Sequence, residues 1–502
     1  MSHKEEVTTN PIDEFAMRRE KRLDLISKNI NPYPNYFKKE LSLSEVRSQS
    51  SKVEKDAPSG LIFVTAGRII AKRGHGKASF ANLLDDSGTL QLYFKQDIIG
   101  EEKYDLSRTL DLGDFLGITG EPFITHTGEL TLKVLDFTLL AKSLNPLPEK
   151  FHGLHDKELR YRKRHLDLIA NPDVKKVFQN RSKIISLLRR HLENEGFMEV
   201  ETPVLQTIPG GASAKPFNTH HNALEMELHL RISLELPLKR LIVGGFEKVF
   251  EIGRVFRNEG ISYKHNPEYT LMELYQAYAD YNDMMTLTEN VLSSLAKEIT
   301  GSFKVEYGDT VLDFTPPFKR ITMTDAIKTH TNIDISKHDF ASLKKEIAKL
   351  KINLDETYTS SGQLVNFLYD EFVEKHLIQP TFITDYPIET SPLAKTHRSL
   401  PGMVERFELI INTLEVANAY TELNDPVDQK GRFMEQAKQR EAGDEEAHMM
   451  DTDFVEALEY GMPPTGGLGI GIDRVVMLLT NAQSIRDVLL FPHMKNKPTV
   501  NE

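Results

Sequence analysis

Two arginines stand in settings that could handle an anion: Arg257, in FRNEGISYKHNPEY over residues 256–269, and Arg474, at the end of GGLGIGIDR over residues 466–474. Across 249–257, Glu251, Val255 and Arg257 fall on one face and Phe250, Ile252 and Phe256 on the other, the alternation of a half-buried strand. A polar loop and a returning strand follow, so Arg257 sits where a fixed cation can meet a ligand. A guanidinium is always charged and can donate two parallel hydrogen bonds, which suits a nucleotide phosphate or a carboxylate. Taken alone, FRNEG is read equally well as a hairpin loop with a surface ion pair. The glycine-rich approach to Arg474 opens an apolar helical run over 475–479, which puts a second arginine near a helix start. The usual nucleotide fingerprints do not account for it. GxxxxGK[ST] is absent, and after Gly469 and Gly471 the third Rossmann glycine position holds Arg474.

Carboxylates cluster downstream. Asn412 and Thr413 fit a two-residue hairpin loop, in which Glu408 lies opposite Ala417 and diagonal to Glu415 on one face. Acids so placed can reach one metal cluster; two exposed strand glutamates fit the same spacing. Asn418, Tyr420 and Glu422 alternate onto one face, as do Tyr269, Glu273 and Tyr275 on the strand that returns from FRNEG. Strict alternation sets Glu415 and Glu422 on opposite faces, so a bulge or bend between them is predicted if both serve one site.

The elements that must position these residues can be read around them. With 502 residues the chain suggests two to four domains and ample core. No cysteine is present, which excludes disulfides and thiolate metal sites and fits a reducing cytoplasm. The opening MSHKEEVTTN resembles neither a secretory signal nor an Arg-rich transit peptide, and no 18-residue apolar run suggests a membrane span. The net charge of −12 argues against RNA binding unless a basic face is set apart locally. Residues 1–60 read as a polar extension with a candidate helix over 11–29 and a disordered first ten residues. Short alternating runs separated by Gly-bearing turns over 61–142 have the pattern of a small closed β-barrel. Residues 143–172 read as a linker. The second domain, 173–502, opens with a helix marked by Val177, Ile184, Leu188 and Leu192, then a short strand over 197–205 broken by Pro203. A helical insertion is expected at about 325–380.

FRNEG together with GLGIGIDR resembles the paired FRxE and GxGxGxxR signatures of class II aminoacyl-tRNA synthetases. The resemblance runs from about residue 60 to 492. Within the class it is closest to the bacterial lysine-specific enzymes, through FEIGRVFRNEGISYKHNPEYTLMELYQAYADY, RISLELPLKRL and EVANAYTELNDP. It implies an α+β multidomain protein: an OB-fold anticodon-binding barrel, then an antiparallel catalytic sheet flanked by helices, with the helix and strand at 173–205 forming a homodimer interface. The reaction implied is ATP-dependent activation of L-lysine and its transfer to tRNA(Lys), with Mg2+ as cofactor.

The resemblance also implies roles. Arg257 and Arg474 would be the catalytic cations, on the α- and γ-phosphates of ATP. His265 would lie near the phosphates, Glu259 and Asn266 near the adenine, and Tyr269 stacked upon it. Glu408 would serve ATP and, with Glu415, the metal. Glu235 and Glu422 would face the side-chain ammonium of lysine, with Glu273 on the α-amino group, Tyr275 closing the pocket, and Asn418 and Tyr420 beside them. Gly211, in the loop over 210–213, would help close over the amino acid; read without the resemblance, that loop is a plain connection and Glu235 a helix-start acid. In the barrel, Arg68, Lys72, Arg73 and Lys77 supply positive charge, and Phe80, Gln91 and Glu129 would read the uridine-rich anticodon. By the barrel pattern alone, Phe80 is core. Aspartate or asparagine specificity on the same scaffold is disfavoured because Glu235 and Glu422 would repel an anionic side chain. A catalytically silent RNA-binding relative is disfavoured by the complete arginine and glutamate sets.

Overall fold

The computed structural model describes residues 11–55, 59–148, 154–352, 354, 358–444 and 446–496. The first ten residues, expected to be disordered, lie outside the described residues. Two compact units divide between His155 and Asp156.

In the first unit, helices α1 (Pro11–Ser27) and α2 (Leu43–Gln49) precede strands β1 (Phe63–His75), β2 (Ala78–Leu84) and β3 (Thr89–Lys95). Helices α3 (Gln96–Ile99) and α4 (Glu101–Thr109) and strands β4 (Phe115–Ile124) and β5 (Leu130–Ala141) complete it. The barrel closes in the order β1-β2-β3-β5-β4, because the long β1 pairs with β2 along one half and β4 along the other. One parity of each strand fills the interior, with Ile69, Leu83, Leu92, Leu116, Leu132 and Val134 fully buried. The N-terminal extension belongs to this core: Leu25 of α1 and Leu43 and Val46 of α2 join the same apolar cluster.

The second unit begins at residue 156, so the stretch expected to be a linker is folded from α5 (Lys157–Arg162) and α6 (Arg164–Ala170) onward. The cause is a buried charge. Arg164 pairs with Asp167 at 2.5 Å, both side chains fully buried, and donates to the carbonyls of Arg486, Leu489 and Leu490. Next come α7 (Pro172–Asn194), β6 (Met198–Glu199), a small three-stranded sheet of β7 (Leu205–Gln206), β8 (Asn218–His221) and β9 (Met226–Leu230), and α8 (Glu235–Val243). Strands β10 (Lys248–Phe256) and β11 (Glu268–Ala277) form the FRNEG hairpin, followed by α9 (Tyr281–Thr300), the ribbon β12 (Lys304–Tyr307) and β13 (Thr310–Asp313), and β14 (Lys319–Thr322). The expected helical insertion is α10 (Met323–Thr331), α11 (Phe340–Lys349) and α12 (Ser361–Phe372), which provide the long connection that the parallel pair β14 and β15 (Thr381–Pro387) requires. Strands β16 (Met403–Ile411) and β17 (Leu414–Thr421), helices α13 (Pro426–Glu441) and α14 (Thr452–Glu459), β18 (Thr465–Gly471) and α15 (Ile472–Leu479) complete the fold.

The central sheet has eight strands in the order β14-β15-β16-β17-β18-β11-β10-β6, antiparallel through its middle and parallel only at the two ends. Helices α7, α9 and α15 cover one face. Phe250, Met272, Leu274, Phe407, Leu409, Ala419, Leu468 and Ile470 meet Ile184, Leu188, Met284, Leu292, Val476 and Leu479 there in one buried cluster. The strand expected to be half-buried, β10, is instead buried on both faces at Val249, Phe250 and Glu251. Glu251 tolerates this because Arg231 pairs with it at 2.6 Å and Thr202 donates twice to its other oxygen.

Replacing Arg164 with Ala should leave the buried Asp167 carboxylate with only Arg160 and Asn171 as partners among the described residues, and should remove the donor from three interior carbonyls. A loss of about 3–5 kcal/mol is expected in chemical denaturation, and a loss below 1 kcal/mol would show that the pair does not hold α6 in place.

Candidate active site

The helices take one parity of each central strand, which leaves the other parity to line a cavity of about 580 Å3 on the opposite face. Arg406 and Glu408 come from β16, Asn418 and Tyr420 from β17, Tyr269, Glu273 and Tyr275 from β11, and Gly467, Gly469 and Gly471 from β18. All fifteen residues expected to handle ATP, lysine and metal line this one cavity: Gly211, Glu235, Arg257, Glu259, His265, Asn266, Tyr269, Glu273, Tyr275, Glu408, Glu415, Asn418, Tyr420, Glu422 and Arg474.

Two sequence expectations decide how the acids meet. Asn412 and Thr413 do form the hairpin turn, both at positive φ, 48° and 61°. The register beyond it differs from the simple hairpin: a bulge opposite the Leu409–Ile410 step pairs Glu408 with Asn418 rather than with Ala417, while Ile410 pairs with Glu415. That extra residue is the predicted bulge. It returns Glu415 to the parity of Asn418, Tyr420 and Glu422, so all four face the cavity.

At one end of the cavity lie the arginines. Arg257 extends from the end of β10, lies 5.5 Å over the ring of Tyr269 and, among the described residues, donates one long bond, 3.4 Å to the Ile232 carbonyl. Arg474 reaches back to the backbone carbonyl of Glu415 and lies 3.5 Å from its carboxylate. Its neighbour Asp473 anchors this corner, taking Arg181 at 2.5 Å and the backbone N–H of Thr270 at 2.7 Å. His265 is tied to Ser262 through Nδ1 at 2.9 Å; burial and the cation of Arg474 hold its pKa below the usual imidazole value. Asn266 donates to the Glu268 carbonyl, and its own Oδ1 is buried with no donor.

At the other end are buried carboxylates. Glu273 accepts from Ser233 at 3.2 Å, from the Leu234 N–H at 3.1 Å and from Tyr275 at 3.2 Å, and burial followed by the nearby charge of Glu235 pushes its pKa up to about 7. Glu235 is not the surface acid that its helix-start position allows: it is buried, 2.5 Å from Lys239 one turn later. Glu422 is fully buried and also contacts Lys239, and burial raises its pKa. Two glycines are required here by close approach. A Cβ on Gly467 would stand 2.0 Å from Glu422 Oε1, and one on Gly211, whose φ is +85°, would stand 2.4 Å from Ser233 Oγ.

Glu408 pairs with Arg406 at 2.5 Å, yet burial and the charge of Glu415 still raise its pKa. A carboxylate so placed is short of positive charge. No cluster of three or more candidate ligands exists among the described residues. Glu408 and Glu415, two carboxylates on one face, have the oxygen chemistry of a hard cation that takes its remaining ligands from phosphate and water.

Sequence reasoning missed Arg406, Lys239, Ser233 and His448, all at or behind the cavity wall. Arg406 was marked by its parity with Glu408 and Lys239 by its i, i+4 spacing from Glu235; Ser233 and His448 carried no signal.

In the barrel, Phe80 is half-buried on the outer face, not in the core, because the interior parity of β2 falls to Ser79, Ala81 and Leu83. Its ring lies 4.9 Å from that of Tyr93, its cross-strand partner, tilted by 38°, and Tyr93 meets Phe123 at 5.7 Å, an aromatic row that only the strand register reveals. Arg73 lies 5.7 Å over Phe80. Gln91 is buried and engaged, donating to Glu129 at 2.9 Å and accepting from Thr131 at 2.8 Å. Two of the expected RNA-facing cations have structural work instead. Lys72 donates to three carbonyls at the end of α4, and Arg68 donates to Gly113 and covers Phe115.

An eight-stranded, largely antiparallel sheet whose polar face carries two arginines and a row of acids, in a chain that also folds a separate five-stranded barrel, defines a class II synthetase architecture. The family described as tRNA synthetases class II (D, K and N) matches residues 156–495, and OB-fold nucleic acid binding domain matches residues 63–140. The chain belongs to this class II family. It is similar to the lysine–tRNA ligase of Thermoanaerobacter sp. (strain X514), 55% identical over 485 residues, covering 96% of each chain. Similarity to the lysine–tRNA ligases of Pelotomaculum thermopropionicum (54%, covering 96% of this chain and 94% of that one) and Bacillus subtilis strain 168 (52%, covering 97% and 98%) is comparable.

The state of Glu273 is measurable. A carboxyl whose folded pKa lies above its unfolded value keeps its proton longer in the folded protein, so stability is lost as pH rises from about 4.5 to about 7. Glu273→Gln is therefore expected to melt above the unsubstituted protein at pH 8, by up to about 3 kcal/mol, with the gap closing towards pH 5. Equal melting curves at both pH values would place the Glu273 pKa in the ordinary range.

Proposed function

We propose that the cavity activates L-lysine with ATP and that the chain transfers the lysyl group to its tRNA. One observation carries the choice of amino acid: Glu235, Glu273 and Glu422 are buried together at one end of a cavity whose other end is lined by Arg257 and Arg474. Burying carboxylates is costly without compensating cations, and lysine brings two ammonium groups. An aspartate side chain would meet three carboxylates there against the single ammonium of Lys239.

Glu273 takes the α-ammonium, and Glu235 and Glu422 take the side-chain ammonium beneath Tyr275, Asn418 and Tyr420. Gly211 and its loop close over the amino acid. The substrate carboxylate then points towards Arg257. One of its oxygens attacks the α-phosphorus of ATP, the bond to the bridging oxygen breaks, and pyrophosphate leaves. Arg257 stabilises charge at the α-phosphate and Arg474 at the γ-phosphate, with His265 donating nearby. Adenine stacks on Tyr269, with Glu259 at the rim and the free Oδ1 of Asn266 accepting from its amino group. Glu408 and Glu415 would hold Mg2+, which would supply charge neutralisation for the phosphates. A terminal ribose hydroxyl of tRNA(Lys) next attacks the lysyl carbonyl and AMP departs. In the barrel, Phe80 offers a stacking face beside the exposed Arg73, and Gln91 with Glu129 offers base-edge groups.

The chain acts as a homodimer. Support comes from β6, an exposed end strand of the central sheet, and from the exposed apolar side chains Met198, Val204, Leu205 and Phe246. No described helix is long and apolar enough to cross a membrane, and a cytoplasmic location fits a chain without cysteine.

Pyrophosphate exchange assayed with lysine, aspartate and asparagine tests the reading directly: exchange should depend on lysine alone, and exchange driven by aspartate or asparagine would overturn it. Arg257→Ala should lower lysine-dependent exchange by about 100-fold or more, corresponding to about 3 kcal/mol of transition-state stabilisation. Near-normal exchange would remove Arg257 from the mechanism. Phe80→Ala should leave exchange intact while weakening tRNA binding by about 1–3 kcal/mol, measured as the tRNA concentration needed for charging. Unaltered charging would leave Phe80 without a role in RNA recognition.

A further inference from the structure

Lys239 is a buried cation that the reaction does not call for. Its side chain rises from α8, fully inaccessible, and its ammonium sits 2.5 Å from Glu235 Oε1 and against Glu422 Oε2. The rings of Tyr275 and Phe454 flank it, each centroid 5.9 Å away. Glu235 and Glu422 line the cavity, whereas Lys239 reaches them from behind the wall. Among the described residues neither oxygen of the buried Glu422 carboxylate accepts a hydrogen bond of ordinary geometry, so Oε2 is held by the ion-pair contact with Lys239 and Oε1 by nothing.

We propose that Lys239 is the positioning residue of the lysine pocket: its ammonium holds one oxygen of Glu235 and one of Glu422, and so presents their remaining oxygens as a pair of acceptors for the substrate's side-chain ammonium. The inference rests on the lysine reading above. Two carboxylates facing each other in a dry pocket repel, and without a cation one of them takes a proton or turns away. One resident ammonium keeps both in place yet supplies a single positive charge against two negatives. The substrate side chain completes the balance, and an uncharged side chain of the same length cannot.

The other charged and titratable groups facing this cluster do not substitute for Lys239. Arg406, from β16, acts on Glu235 but is committed to Glu408 and Asn418. His448 approaches from the segment before α14, and burial together with Lys239 lowers its pKa to about 4, so it is neutral. Glu273, from β11, adds a further negative charge to Glu422, and Tyr275 and Tyr420 are phenols held protonated by burial.

The test uses the purified full chain in lysine-dependent pyrophosphate exchange between pH 6.5 and 9, with the KM for lysine, the KM for ATP and kcat measured separately. In Lys239→Met, Glu235 and Glu422 bind protons more tightly. The KM for lysine is therefore expected to rise at least about tenfold at pH 7 and to recover as pH approaches 9, while the KM for ATP stays within about twofold. Lys239→Arg, which keeps the charge, should keep the pH profile of the unsubstituted chain. A lysine KM that is unchanged or lower in Lys239→Met would overturn the proposal, since a resident ammonium that merely competes with substrate would give that result. A rise by the same factor at every pH would overturn it too, as a packing defect.

If Lys239→Met does not fold, the double variant Lys239→Met/Glu235→Gln is compared with Glu235→Gln alone. The double should need several-fold more lysine because Glu422 has lost its anchor, and equal lysine KM values would sink the idea. Absence of lysine-dependent exchange in the unsubstituted chain would instead refute the lysine reading itself.

Discussion

Side chains alternate across a strand, and in the eight-stranded sheet three helices claim one parity throughout. The central strands give Met272, Leu274, Phe407, Leu409, Leu468 and Ile470 to that face, where all are buried. Part of the opposite parity packs in two further clusters, with Val249, Val255 and Tyr275 in one and Ile383, Val404 and Ile410 in the other, and the rest brings the polar side chains of β11, β16 and β17 around the glycines of β18 as one cavity floor. A single frame shift would exchange the two sets. The bulge beside Leu409 and Ile410 shows how tightly the arrangement is set: one extra residue in β17 is what brings Glu415 into the company of Glu408, Asn418 and Glu422.

Charge is sorted along this floor. Arginines gather where β10 ends and α15 begins, and carboxylates gather near the start of α8 and the end of β17. Each group is only partly balanced within the protein, Arg474 by Glu415 and the acids by Lys239 and Arg406. Glu273, Glu408 and Glu422 all have raised proton affinities because burial removes water without supplying enough cation, while Arg257 faces the cavity with one long hydrogen bond. A site unbalanced in opposite senses at its two ends selects a ligand pair of complementary charge: an anionic nucleotide at one end and a cationic amino acid at the other. This local polarity explains how a chain with a net charge of −12 handles polyanions.

The barrel follows the same division by parity. Its interior is mostly aliphatic with Phe63, Phe94 and Phe137 among the core, and its outer face carries the Phe80–Tyr93–Phe123 row beside exposed Arg73. Lys72 and Arg68, which look equivalent to Arg73 in sequence, are consumed by carbonyls at the end of α4 and at Gly113. Positive charge counted along a strand overstates what is available to RNA.

Much of this was legible in the sequence because it depends on local spacing. FRNEG and GLGIGIDR, the Asn412-Thr413 turn, the alternation of Tyr269, Glu273 and Tyr275, and the need for a bulge before Glu422 are all set by period and by turn chemistry. The barrel and the helical insertion were legible for the same reason. What required the tertiary structure was the fate of groups whose partners are distant along the chain. Arg164 folds an expected linker because its acceptors lie more than 300 residues away, at 486–490. Lys239 finds Glu422 across the sheet, Gly467 is fixed by the Glu422 carboxylate, and Phe80 faces outward because β2 gives its other parity to the core. Spacing along a chain dictates which side chains share a face. Which charges meet in the interior, and how they are balanced there, is decided only when the faces close on one another.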